Sequence, residues 1–302
     1  LPLSVMIQCP SKASLGDERD MASPVLSASG HLVAIGGAED RTSDLEILKK
    51  IFSLAPEGCQ EVAVIATASG IPDQVLPEYE AAFLRLGASH VHSLGIRDRQ
   101  AAADADTVRL IEQSGLIFFT GGDQLRLTNI LGGSPVLKAI RQRLQDGAVV
   151  AGTSAGAAAM PGTMIYNGAA ADALRKGGVS LTFGLGFVDN LIIDSHFLER
   201  GRFTRLMEVG ASNPEHLGVG LGEDAGVIIH PHGILEAIGP GHVILIDSRD
   251  LASSNIADLA MGEPVAVEYM ILHAMVSGHG FDVENRCYLV PDELDALIEE
   301  SR

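Results

Sequence analysis

Cysteine is scarce in this 302-residue chain: Cys9, Cys59 and Cys287 stand far apart and are odd in number. That pattern offers no disulfide framework and no Cys-x-x-Cys metal pair, and it points to a reducing, cytoplasmic compartment. No apolar run reaches the ~20 residues that span a bilayer. A secretory leader is not expected either, because the short run 1–8 gives way to a charged stretch over 12–20. Cations are few, 21 Lys and Arg against 39 Asp and Glu, a net charge of −18. Such a surface excludes a general nucleic-acid binder, which needs basic groups for phosphates, and suits a cationic substrate. The dinucleotide spacing G-x-G-x-x-G and the P-loop are both missing. No repeat, linker or low-complexity tract divides the chain. Residues 1–25 are expected to be an extension, disordered or foreign to the fold, and 26–302 a single α/β domain. The 46% hydrophobic content supplies a large core.

What is present is an alternation of strand and helix patterns. Apolar runs at 31–35, 61–66, 90–94, 115–120 and 148–151 read as strands. Between them lie helical patterns. One carries Leu45, Leu48 and Phe52; a second is led by Pro77, carries Phe83, Leu84 and Leu86, and stops at Gly87. An acidic helix spans 101–113, another begins near Gln124, and one covers about 135–145. This order implies a parallel sheet with helices on both faces and a site at the carboxyl ends of the strands. Three Gly-rich turns fall at those ends, at 36–37, 121–122 and 152–156, and are expected to converge. After residue 220, short runs at 227–229, 234–238 and 243–246 read as antiparallel additions to the sheet, before a last helix over 292–300.

The turn Gly152-Thr153-Ser154-Ala155-Gly156 follows an apolar strand and precedes small residues that can start a helix. A serine on such a tight turn has its hydroxyl pushed out of the sheet, and helical N–H groups can hold an oxyanion. Ser154 is the candidate nucleophile. Ala155 N–H, next in the chain, and Gly122 N–H are the candidate oxyanion donors. A serine hydroxyl needs a base and an orienting acid. Among ten histidines, His196 stands out because it follows the apolar run 191–193 and Asp194-Ser195. Arg200, Arg202 and Arg205 come next, a concentration of forked guanidinium groups that suits carboxylates or a solvated basic helix paired with Glu199 and Glu208. The acid is Glu223 or Asp224, both in a Gly-rich turn, with Asp194 a rival; spacing does not choose. Gln124 either holds substrate or caps its helix.

Phe119-Thr-Gly-Gly-Asp-Gln124, Gly152-Thr-Ser-Ala-Gly-Ala157, Asp194-x-His196-Phe197 with the three arginines, and the turn at Glu223 together resemble the cyanophycinases. These are serine peptidases grouped with aspartyl dipeptidase (peptidase E). Gly36-Gly-Ala-Glu-Asp40 and Leu272-His273 … Ser277-Gly278 … Phe281-Asp282 are also similar, and the likeness runs collinearly over about 30–285. The resemblance implies a three-layer α/β sandwich with a mostly parallel sheet, like class I glutamine amidotransferases. It further implies a Ser154–His196–Glu223 triad, no metal or cofactor, and usually a homodimer. Arg200, Arg202 and Arg205 match substrate-binding positions, and Gln124, Asp194 and Ser195 match positions around the site. The implied reaction is hydrolysis of cyanophycin, a polyaspartate carrying arginine through β-linked isopeptide bonds, to β-Asp-Arg dipeptides. Two departures stand out. Ser195 replaces a usual glutamine, and Gly222 and Ala225 flank Glu223 where the family has a carboxylate and a hydroxyl. They leave open a smaller isoaspartyl amide, an acyl transfer or cyclisation, or a non-catalytic binding module.

Overall fold

The computed structural model describes residue 26 and residues 28–300, so the expected extension 1–25 lies outside the described residues. The first half of the chain alternates as its pattern requires. Strands β1 (Leu32–Ile35), β2 (Glu61–Ile65), β3 (His90–Leu94), β4 (Leu116–Phe119) and β5 (Val149–Thr153) are separated by helices. These are α1 (Glu46–Ser53), α2 (Pro72–Arg85), α3 (Ala105–Gln113), α4 (Gln124–Leu131) and α5 (Pro135–Gln145); a short α6 (Ala155–Ala158) follows β5. The second half holds β6 (Thr163–Asn167), β7 (Ser180–Phe183), β8 (Leu191–Asp194), α7 (Phe203–Ser212), β9 (Leu217–Leu221), β10 (Gly226–Ile229), β11 (Ile234–Ile238) and β12 (Val243–Asp247). It ends with β13 (Ser253–Ser254), β14 (Val267–Glu268), β15 (Ile271–Met275), β16 (Gly280–Asp282), β17 (Cys287–Leu289) and α8 (Pro291–Glu300).

The central sheet has nine strands in the order β17-β16-β11-β10-β1-β5-β4-β2-β3. From β3 to β1 all pairs are parallel, and from β1 to β17 all are antiparallel. Alternation along each buried strand sends side chains to two cores. Val33, Ile35, Val62, Val64 and Phe118 pack with Ile47, Leu48 and Ile51 of α1 and Phe83 of α2. Leu32, Ala34, Ile65, Ile117 and Phe119 face α4 and α5 on the other side. The sandwich expected from the sequence is the one observed.

Three details differ. Pro72, not Pro77, starts α2; Pro77 lies inside the helix, one turn from its start. The acidic stretch 101–113 is split at Asp104, whose carboxylate accepts the Thr107 N–H at 2.9 Å and caps α3. The run 243–246 leaves the central sheet. It joins a second sheet, β15-β12-β9-β8, with Val243 opposite Leu221. In that sheet β8 and β9 are parallel neighbours. One face meets the main core through Val219, Leu221 and Leu245, and the other is covered by Leu206 and Val209 of α7.

No helix among the described residues is long and apolar enough to cross a membrane. Cys59 is a free thiol, but Cys287 is disulfide-bonded, which departs from the expectation of no disulfide.

Candidate active site

Two sheets meet at the site. β5 ends at Thr153, and Ser154 adopts φ 52°, ψ −109°, a strained conformation outside the ordinary basins of an L-residue. Its N–H still bonds Ile35 O of β1 (2.9 Å), so the strain is confined to the turn that lifts the side chain out of the sheet. The other two groups come from β8 and β9. His196 follows β8 with φ 47°, and its N–H reaches Gly36 O at 2.9 Å, tying the two sheets together. Phe197, beside it, is fully buried; a Cβ on Gly220 of β9 would fall 2.5 Å from its ring, so the bare backbone of β9 makes the seat that fixes His196. Glu223 emerges from the end of the same strand.

These elements bring three side chains into one line. Ser154 Oγ lies 2.9 Å from His196 Nε2, and His196 Nδ1 lies 2.7 Å from Glu223 Oε1. Hydrogen-bonded to Glu223 through Nδ1–H, the neutral imidazole presents Nε2 as an acceptor to the serine hydroxyl. This is the geometry that converts a hydroxyl into a nucleophile. The alternatives left open by spacing separate here. Asp224 turns away, with its N–H on Gly37 O (2.9 Å) and its Oδ1 accepting the Asp40 N–H (3.3 Å). Asp194 is buried at the end of β8, where it pairs with Arg202 and Arg205 rather than with the imidazole.

Ser154 and His196 open into a cleft of about 360 Å³ that Gly37, Gly121 and Gly122 also line. The three glycine turns therefore do converge. Gly122 has φ +143°, and a Cβ there would fall 2.1 Å from Ala68 O. Ala155 begins α6, where the first N–H groups have no acceptor within the helix. Behind the serine lies a group that the sequence reading passed over. Glu39 is buried; Thr153 Oγ1 donates to its Oε2 at 2.5 Å, and the Tyr79 hydroxyl donates to its Oε1. Burial and the Glu39 charge push the Tyr79 hydroxyl well above its ordinary pKa, which keeps it a donor. The signal was present as an acid two residues past a strand-ending Gly-Gly pair.

The pattern of peptidase family S51 matches residues 32–236. The chain belongs to peptidase family S51. Relatives named cyanophycinase include that of Geminocystis herdmanii, 36% identical over 82% of this chain and 91% of its own, and that of Nostoc sp., 35% identical over 89% and 91%. In fold the chain is similar to the crystal structure of a peptidase from an acI-B1 actinobacterium. That likeness has a TM-score of 0.62 and 18% identity, and it covers 84% of this chain and 96% of the other. This S51 chain is thus a serine-type peptidase.

Several side chains of this S51 peptidase expected to meet substrate are engaged elsewhere. Arg202 Nη1 donates to Asp194 Oδ1 (2.9 Å) and to Ser195 O (2.8 Å). Arg205 donates to Gly168 O (2.8 Å) and Asp194 Oδ1 (3.2 Å), with Nε 3.1 Å from Oδ2. Burial raises the Asp194 carboxyl pKa, while the two guanidinium groups pull it down. Ser195 is buried, and Arg200 is exposed. Gln124 neither caps its helix nor lines the Ser154 cleft. Asp123 is the cap, accepting from Leu125 and Arg126 N–H, and Gln124 Nε2 donates to Ile165 O at 3.2 Å. The Arg202–Asp194–Arg205 cluster therefore braces the segment that carries His196. Asp194→Ala leaves two guanidinium groups beside an empty site and is expected to cost about 3–5 kcal/mol of stability, read by urea unfolding.

Proposed function

We propose that this peptidase hydrolyses the polyaspartate backbone amides of cyanophycin through an acyl-enzyme and releases β-Asp-Arg dipeptides, in which the isopeptide bond stays intact. The observation that carries the reading is the hydrogen-bonded line Ser154–His196–Glu223, open to a cleft, in a chain about one-third identical to proteins named cyanophycinase. His196 Nε2 takes the Ser154 proton as Oγ attacks the carbonyl carbon of the scissile amide. The Ala155 and Gly122 N–H groups hold the oxyanion. The imidazolium, stabilised by Glu223, gives its proton to the leaving amine, and the C–N bond breaks. Water then adds to the acyl-serine with His196 again as base, the ester bond breaks, and Oγ recovers its proton. The net charge of −18 favours approach of an arginine-bearing polymer. In the cytosolic homodimer that the sequence reading implies, each subunit carries a complete Ser–His–Glu line.

Incubating the purified protein with cyanophycin, and separately with β-Asp-Arg, and weighing the products by mass spectrometry tests the reading. Dipeptide from the polymer is the expected result. Free aspartate and arginine from the dipeptide, with the polymer untouched, would instead assign a downstream isoaspartyl peptidase. The short hydroxyl at Ser195 and the bare Gly222 favour that second reading, because they shorten the groups around the site.

A further inference from the structure

A second and larger cleft, about 860 Å³, opens beside the one that holds Ser154. The two share a wall. Gly122 lines the Ser154 cleft and Asp123 the larger one. Arg97, in the larger cleft, donates through Nη1 to Ser69 O (3.0 Å), and Ser69 lines the smaller. Three arginines, Arg97, Arg99 and Arg126, line this one cleft in a chain with 21 cations in all. Their states differ. Arg97 is held as described, and Arg99 Nη1 donates to the Asn129 and Gly132 carbonyls at 2.8 and 3.0 Å. The exposed Arg126 guanidinium has no hydrogen-bond or ion-pair partner among the described residues. The two acids present, Asp98 and Asp123, each turn Oδ1 onto backbone N–H groups, leaving Oδ2 for another donor. Phe183, at the end of β7, offers a ring 85% exposed on the same cleft.

A lone exposed aromatic needs no explanation. Here it shares a cleft, next to the reacting serine, with a free guanidinium and carboxylate edges. That set matches a ligand that repeats carboxylate and guanidinium groups along one chain. Forked guanidinium binds carboxylate, and a guanidinium stacks on an aromatic face. We propose that the larger cleft binds the length of polymer beyond the scissile unit. Arg126 pairs with the free carboxylates of that stretch, and Phe183 stacks against its guanidinium groups. The inference rests on the function proposed above and adds a site for the uncleaved part of the same substrate.

The test compares the unaltered protein with Arg126→Ala, Phe183→Ala and the double variant, all changes at exposed positions. Each is assayed on purified cyanophycin and on a trimer of β-Asp-Arg units. Binding to the insoluble polymer is measured by cosedimentation with Ser154→Ala added to every chain, so that turnover does not interfere. The expected result is a KM for polymer raised about tenfold in the double variant with kcat unchanged, no change on the trimer, and a matching loss of cosedimentation. Unchanged polymer KM and cosedimentation would overturn the proposal. Equal losses on both substrates would do the same, as would a change in molar mass by light scattering, which would make the cleft a contact between copies of the chain. Cosedimentation that depends on Arg126 and Phe183, without product from the unaltered protein, would keep the cleft and sink the hydrolytic reading instead.

Discussion

Ser154→Ala is expected to lower kcat/KM on cyanophycin by about 10⁴-fold or more, with thermal stability unchanged. The chemistry sets the size. The proposed covalent route runs through one oxygen, and without it His196 and Glu223 have no proton to relay. What survives is substrate binding and the oxyanion stabilisation proposed for the Gly122 and Ala155 N–H groups, which supports only a small residual rate. The structure explains why the fold should not suffer. Alanine keeps the Cβ and meets the same backbone strain at φ 52° that serine already bears. The Ser154 N–H to Ile35 O bond does not involve the side chain. His196→Ala should cost nearly as much, and the double variant little more than either alone, because groups that act as one unit are not additive. A Ser154→Ala protein with a wild-type rate would remove the serine from the reaction altogether. Labelling by a serine-directed covalent probe gives an independent reading: the unaltered protein should react at Ser154, and the variant should not.

How much of this site was legible in the sequence depends on the range of each interaction. The elbow was legible because strand, glycine pair and helix start are all local. The convergence of the turns at 36–37, 121–122 and 152–156 followed from parallel topology alone. The choice between Glu223 and Asp224 was not legible. It turns on one backbone angle, φ 48° at Asp224, which spends that residue on the β1 turn and leaves Glu223 to reach the imidazole. The pairing of Arg202 and Arg205 was not legible for a related reason. A run of guanidinium groups looks like a surface for anions, but Asp194 precedes Arg202 and Arg205 by 8 and 11 positions, and the chain reversal after β8 closes that pair of contacts. Nothing in spacing distinguishes an arginine that awaits substrate from one already paired inside the protein. The second sheet was hidden because an apolar run such as 243–246 declares that it is a strand and not which neighbour it joins.

Gly37→Ala should be the most damaging change that leaves all three reacting side chains intact. A Cβ at residue 37 would sit 2.4 Å from His196 Cε1 and 2.6 Å from Nε2, closer than a Cβ comes to a non-bonded heavy atom. The imidazole has nowhere to retreat, because Nδ1 is held by Glu223, Nε2 by Ser154 and the backbone N–H by Gly36 O. Residue 37 also has φ +111°, a conformation nearly reserved to glycine, so the substitution strains the backbone even before the clash. Misplacing a reacting group by about 1 Å costs on the order of 10²-fold in rate. We therefore expect kcat to fall at least that far, with a stability loss of about 1–3 kcal/mol from the strained backbone. Gly70→Ala is the matched control. It lines the same cleft, but a Cβ there meets nothing within 4 Å, so rate and melting temperature should both hold. Because the added Cβ displaces the imidazole, the loss should appear in kcat and in the rate of covalent labelling at Ser154 together. Wild-type kcat in Gly37→Ala would mean that His196 need not hold the position seen here, and the proposed relay would fail with it.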